Sequence, residues 1–516
     1  MGFLARPSFK AFRLSEHTQY RILEIIPGFL VWGAFGVAVI MSLLRPLWVI
    51  GFIILFDLYW FVRAIYTLVY LLVAYQRYRQ AAVINWRQRL AARPGWQSIY
   101  HVVVLPTYRE PVAVVEQAFA GLACSDYPLE RLLVILALEE RDGQVAQAVA
   151  TRIQQRYGQT FGELLVTFHP ANRPGEVAGK GANITWAGRA AKERIDARGI
   201  PEEQVLVTTL DVDSVVHPQY FAYLTDVFLA HPHRLRTSYQ PLPFYHNNIW
   251  QSPALTRIVA TSTTFWLMTE TIRPDRLFTF SSHSMPLRAL VDVGFWQTDI
   301  VTEDSRIFLQ CFVQYDGDYT VTPLYLPISM DTVAVPSLWR TVLNQYQQQR
   351  RWAYGVENFP YMVWNFSVNR HIPGAKKIKY IWNQLEGVFS WATAPILIFV
   401  LGWLPIKVAE AQQRTELIVQ SAPDLLQTLM VLAMIGLVTA AVMSVLMLPP
   451  PPPGKSKWQL VPMVLQWLLL PVTMIIFGSI PATDAQTRLM LGKYLGFWVT
   501  EKSRTYEPRM APTKSR

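Results

Sequence analysis

The chain has 516 residues, of which 52% are hydrophobic and only 16% charged, against roughly 25% charge in an ordinary soluble domain. This balance excludes a disordered chain, a fibrous repeat and a wholly soluble enzyme, while two cysteines, Cys124 and Cys311, exclude a disulfide scaffold or a cysteine-rich metal site. A formal charge of +11 in so apolar a chain points to an anionic bilayer face, and no nucleic-acid partner is expected.

Residues 25–44 carry no charge and, at 1.5 Å per residue, span about 30 Å, one hydrocarbon core. After Arg45-Pro46 a second apolar stretch, 47–75, contains Asp57 and Arg63. Both are costly in lipid, so Arg63 is expected to snorkel and Asp57 to find a partner in the bundle. Two long apolar stretches in succession do not fit a cleaved signal peptide. Arg6, Lys10, Arg13 and Arg21 outweigh Glu16 and Glu24 before the first span, and Arg77, Arg79, Arg87, Arg89 and Arg93 follow the second, so both flanks and the polar region 99–380 are expected in the cytoplasm.

That polar region reads as alternating strands and helices. Apolar runs at 101–105 (HVVVL), 132–138 (LLVILAL) and 205–210 (VLVTTL) predict buried parallel strands, separated by helical patterns such as 112–122 and 184–195. Ligands of such sheets bind beyond the carboxyl ends of the strands. There the sequence places Pro106-Thr107-Tyr108-Arg109-Glu110, then Glu139-Glu140-Arg141-Asp142, then Asp211-Val212-Asp213-Ser214, so carboxylates are expected to converge on one crevice. No strand is followed by a Walker loop or a GxGxxG. Asp211-x-Asp213 suits a hard divalent cation, Mg²⁺ or Mn²⁺, completed by diphosphate oxygens, although such a pair is elsewhere a solvated turn.

Four further constellations follow in order. Lys180-Gly181-Ala182-Asn183 opens a helical segment and offers a cation near the crevice, or is only a helix-start loop. Thr302-Glu303-Asp304 opens a helix expected over 305–313, where acids also complement the helix dipole. Gln348-Gln349-Arg350-Arg351-Trp352 combines amides, guanidinium and indole in a helical stretch that could equally rest on headgroups. Three more apolar stretches, 387–404, 425–448 and 458–480, surround the proline run 449–453, and Phe497-Trp498-Val499-Thr500-Glu501-Lys502 lies in a basic tail that is otherwise an amphipathic anchor. Three crossings from an inside domain would leave that tail outside, against its charge. The stretch 458–480, interrupted by Pro462 and Pro471, is therefore expected to be re-entrant or interfacial, unless a weak span is missed.

Taken together and in this order, these motifs resemble the membrane-integrated family 2 glycosyltransferases, the group of cellulose, hyaluronan and chitin synthases, over residues 22–502. The resemblance implies an α/β GT-A domain, a Rossmann-like parallel sheet, at 76–345. It is framed by a cytoplasmic segment 1–21, two transmembrane helices in 22–75, interfacial helices in 346–386, a transmembrane region 387–480 and a gating-loop-like tail 481–516. It implies inverting transfer from a nucleotide diphosphate sugar, usually a UDP-sugar, to a glycan or glycolipid acceptor, with export partner subunits allowed for, at the inner (plasma) membrane. By resemblance, Thr107, Tyr108, Glu110 and Glu139 contact the nucleotide and Lys180 the diphosphate. Asp211 and Asp213 hold the metal, and Asp304 is the general base with Glu303 beside it. Gln348 and Arg351 bind the diphosphate, Trp352 the acceptor sugar, and Thr500 and Lys502 close over the donor. The segment 278–288 (FTFSSHSMPLR) departs from the Phe-Phe-Cys-Gly-Ser of cellulose synthases, with Ser282-His283 replacing Cys-Gly, so His283 is an acceptor-side candidate or a structural histidine. The chain ends soon after the gating motif, so a full pore or cyclic-dinucleotide control does not follow. Single-sugar transfer to a lipid or short acceptor is the rival within enzymes, and a transporter with a nucleotide-binding domain is the rival outside them.

Overall fold

The computed structural model of the chain describes residues 15–454 and 457–496. Two compact units emerge: an α/β unit with Ala74–Gln251 and Thr264–Thr341, and a helical unit with residues 15–73, Ser252–Thr263 and Val342–Leu495.

The α/β unit is built on one eight-stranded sheet. Its strands are β1 (Tyr100–Pro106), β2 (Leu132–Glu139), β3 (Glu163–His169), β4 (Val205–Thr209), β5 (Val215–Val216), β6 (Thr237–Tyr245), β7 (Ser284–Pro286) and β8 (Thr320–Met330), in the order β3-β2-β1-β4-β7-β6-β8-β5. The half β3-β2-β1-β4 is parallel, as the apolar runs require: every residue of β2 and the five central residues of β1 are buried, which only a sheet covered on both faces permits. Helices Val112–Ala123 and Gln144–Tyr157 cover this half, the latter through Ala146, Val149, Ala150, Ile153 and Tyr157 at helical spacing. Helix Lys180–Ala197 buries Ile184, Ala187, Gly188, Ala191 and Ile195 in the same way.

The other half departs from an all-parallel sheet. β7 runs antiparallel to both β4 and β6, β6 and β8 pair in parallel, and β5 closes the edge antiparallel to β8. β6 contains Pro241 and Pro243, and β8 contains Pro323 and Pro327, residues that ordinarily argue against a strand because they cannot donate to the ladder. A register shift between Pro241 and Leu242 absorbs the mismatch. β3 is also absent from the sequence reading, because its outer position leaves it half-buried and without a continuous apolar run.

Among the described residues four helices are long and apolar enough to cross a membrane: Glu16–Leu44, Pro46–Val83, Leu417–Leu446 and Leu460–Met490. The stretch expected at 387–404 is instead a bent pair, Gly374–Phe399 and Leu401–Ala411, at 48°. Pro395 removes a helical hydrogen bond just before the break, and Gly402 lies where a Cβ would sit 2.9 Å from the Leu397 carbonyl oxygen. The sharp break thus falls here, whereas Pro462 and Pro471 are absorbed in a run that stays helical through 3₁₀ and π turns. Arg63 has a partner within the helical unit. It pairs with Glu386, which also accepts from Ser390 Oγ at 2.9 Å, so the charge is met by a carboxylate on another helix. Asp57 lacks the expected partner: its Oδ1 is buried without a hydrogen bond among the described residues.

Candidate active site

β4 ends at Thr209, and the chain turns through Leu210-Asp211-Val212-Asp213, with Leu210 N–H donating to Val104 O of β1 at 3.0 Å. The first turn of helix Lys180–Ala197 and the first turn of helix Glu303–Gln314 meet beside this turn. They can meet because position 181 is glycine: a Cβ there would lie 2.9 Å from the Gln297 carbonyl oxygen and 3.2 Å from Glu303 Cβ. Lys180 Nζ then donates to Asp211 Oδ1 at 2.8 Å and to both oxygens of Asp304, at 2.9 and 2.8 Å, with Glu303 Oε1 at 3.9 Å. The Lys180 side chain is 8% exposed, whereas those of Asp211 and Asp304 are 31% and 19% exposed. Burial opposes the ammonium charge, but Asp211, Asp304 and Glu303 override it and hold Lys180 well above the ordinary lysine range. A buried cation therefore joins the two accessible carboxylates of the cluster.

The loop before β7 completes it. Ser281 Oγ donates to Asp211 Oδ2, and Thr279 Oγ1 donates to the Asp304 carbonyl oxygen at 2.6 Å. Ser282 is held at a left-handed φ of 64°, a conformation costly for a residue with a Cβ. His283 is 1% exposed and donates from Nδ1 to the Phe280 carbonyl oxygen at 2.9 Å. Burial pushes its imidazole below the usual histidine range, and Lys180 adds to this against the opposing effect of Asp304, Phe280 and Asp211. The ring is thus enclosed beside the Lys180 cluster, with the Phe280 carbonyl oxygen as its hydrogen-bond partner. Ser281, Thr279 and Asp331 were not picked out from sequence; the only signal for the first two is their position in the 278–288 segment.

Asp213 is buried beside the same turn, where its Oδ2 accepts from Asp331 N–H at 3.0 Å and its carbonyl oxygen from Asn247 Nδ2 at 3.1 Å. Among the described residues no three His, Cys, Asp or Glu side chains stand in a metal-holding group. The chemistry of Asp211 and Asp213, two hard carboxylates on one turn, fits a divalent cation that takes its remaining ligands from diphosphate and water.

The ends of β1 and β2 carry a second polar group. Glu139 is buried and ion-paired with Arg141, whose guanidinium lies 3.9 Å from the Tyr108 ring centre. Arg109 takes a left-handed φ of 56° and donates its N–H to Asp142 Oδ2 at 2.9 Å, with Glu110 half-buried after it. Thr107 is buried, and its N–H shares the Ala137 carbonyl oxygen with Asn183 Nδ2, both at 2.8 Å, tying this end of the sheet to the helix that carries Lys180.

Gln348, Arg351 and Trp352 belong to the helical unit, on helix Leu338–Ala353. Gln348 is buried and accepts from Gln345 Nε2 at 3.1 Å, while Arg351 and Trp352 are half-buried. Thr500 and Lys502 lie outside the described residues.

The family model described as glycosyl transferase family group 2 matches residues 206–477, more than half of the chain, and the chain belongs to that family. It is a glycosyltransferase. Among solved structures, the mannosyltransferase PcManGT from Pyrobaculum calidifontis, in complex with GDP-Man and Mn²⁺, is 16% identical over 73% of this chain and 99% of its own, with a TM-score of 0.42. S. aureus TarS 1–349 in complex with UDP-GlcNAc is 12% identical over 77% of this chain and 93% of its own, with a TM-score of 0.35. Scores this low leave the two likenesses without weight for activity. No curated protein sequence matches the chain.

Proposed function

We propose that the chain is a membrane-integrated, inverting hexosyltransferase that moves a sugar from a UDP-sugar to a growing polysaccharide. Its α/β unit works at the cytoplasmic face of the plasma (inner) membrane, in the manner of cellulose, hyaluronan and chitin synthases. The observation that carries this reading is the buried Lys180 ammonium bonded to both Asp211 and Asp304. It fixes the carboxylate proposed to take a proton beside the turn proposed to receive the diphosphate.

In this reading Asp304 removes the proton from the acceptor hydroxyl as that oxygen attacks the anomeric carbon, giving inversion in one displacement. Lys180 orients Asp304 and places positive charge where the departing diphosphate gains negative charge. Tyr108, with Arg141 on its ring and Glu139 behind it, faces the nucleoside together with Thr107 and Glu110. Gln348 and Arg351 bind the diphosphate, Trp352 offers its face to the acceptor ring, and Thr500 and Lys502 close over the donor. A divalent cation held by Asp211 and Asp213 would neutralise charge on the leaving diphosphate.

The proposed topology follows the basic charge of the two N-terminal flanks and of the tail. If the bent pair Gly374–Phe399 and Leu401–Ala411 re-enters without crossing, the four remaining spans return the basic tail to the cytoplasmic side. A cysteine placed at Ser515 is then labelled only from inside, and labelling only from outside refutes this topology. The function itself is tested by mixing the purified full chain in detergent with a panel of nucleotide sugars. Release of UDP from one of them is expected, and no release from any donor overturns the reading.

A further inference from the structure

Helix Leu338–Ala353 presents its residues in two stripes. Gln348, Arg351 and Trp352 fall at i, i+3 and i+4 on one side, and Tyr346 and Arg350 at i and i+4 on another. The second stripe is pinned to one carboxylate. Asp484 Oδ2 accepts from Tyr346 OH at 3.0 Å and from Arg350 Nη1 at 2.9 Å, while its Oδ1 accepts from Arg488 Nε at 2.8 Å. Asp484 and Arg350 are 25% and 21% exposed, so these charge-assisted bonds are partly shielded from water.

The helix that carries Asp484, Ile480–Met490, is itself held from several sides. Gln486 Nε2 donates to Val388 O at 2.8 Å, and Trp32 Nε1 donates to Thr487 Oγ1 at 2.8 Å. A Cβ on Gly28 would lie 2.8 Å from the Gln486 carbonyl oxygen, so the first helix packs against it backbone to backbone. Arg21 caps its end, donating to Leu489 O at 3.0 Å and Met490 O at 2.8 Å.

Two contacts from one stripe to a single fixed carboxylate set the rotation of a helix about its axis, and with it the direction of every other stripe. We propose that Asp484 is a positioning residue: through Tyr346 and Arg350 it sets the direction of Gln348, Arg351 and Trp352. The inference rests on the donor and acceptor roles proposed for those three residues. Asp484 touches no substrate.

The test uses the purified full chain and its donor-dependent UDP release. Asp484→Asn keeps the shape but weakens both struts, and kcat/KM for the donor is expected to fall about 10- to 100-fold, with Asp484→Glu recovering part of it. The decisive readout is a double-variant cycle with Arg351→Ala. If Asp484 acts through the motif, the double variant loses less than the product of the two single losses, whereas a merely structural role makes the two losses multiply. Wild-type kcat and KM in Asp484→Asn, or multiplying losses, overturn the inference. Absence of UDP release from the wild-type chain overturns the parent reading instead.

Discussion

Replacing Asp304 by Asn separates chemistry from architecture. The substitution leaves the side-chain size intact but removes the negative charge and exchanges for an NH2 one of the two oxygens to which Lys180 Nζ donates at 2.9 and 2.8 Å. Lys180 is not orphaned, since Asp211 remains at 2.8 Å and Glu303 at 3.9 Å. The stability cost is therefore about that of one hydrogen bond to a charged group, about 1.5–3 kcal/mol, rather than the larger penalty of a stranded buried charge. A lost general base removes about 10²–10⁴-fold in rate, equivalent to about 2.7–5.4 kcal/mol in the barrier. Donor affinity should stay close to wild type, because Lys180, Asp211 and Asp213 are unchanged. Turnover and UDP-sugar affinity measured on one folded preparation distinguish the two effects. Near-wild-type turnover would refute the role of Asp304 and leave Glu303 as the next candidate. In contrast, Lys180→Met should lower both turnover and donor affinity.

Three more outcomes are expected. Excess EDTA should abolish transfer and added Mg²⁺ or Mn²⁺ should restore it, so full activity in EDTA would remove Asp211 and Asp213 from metal binding. Gly181→Ala drives a Cβ against Gln297 O and Glu303, and should cost about 1–3 kcal/mol in stability and disproportionately more in turnover, since it separates Lys180 from Asp304; unchanged turnover would show that this close approach does not matter. Burial pushes His101, inside the sheet, down to about 3, so the unfolded chain binds its proton first as the pH falls. The share that His101 contributes should then be full above the unfolded value near 6.5 and fall by about 2 kcal/mol by pH 5, so the loss on acidification measured by denaturation should be smaller by about that amount in His101→Leu, and equal losses would refute this.

The legible parts of the fold were those governed by local pattern. The continuous apolar runs of β1, β2 and β4 can only be buried strands, and the polar residues after them mark the working edge of the sheet. Lys180, Asp211 and Asp304 could be singled out as chemistry, but sequence gave no hint that one ammonium joins both carboxylates, because that depends on a glycine letting two helix starts approach. β6 and β8 stayed hidden because their prolines are tolerated only through a shifted pairing between two distant segments. Ser281 and Asp331 were hidden for a similar reason: a lone Ser or Asp has no pattern, and only the fold brings them to Asp211 and Asp213. Arg63 looked like a snorkelling residue because its partner, Glu386, is far away in the chain.

The most direct test of sugar transfer at this site is a time course with radiolabelled donor and the purified full chain, recording UDP released and the size of the labelled product together. The account predicts one UDP released per sugar incorporated and a product that lengthens with time. UDP release without incorporation, or a product that stops at one sugar under donor excess, would contradict polysaccharide synthesis.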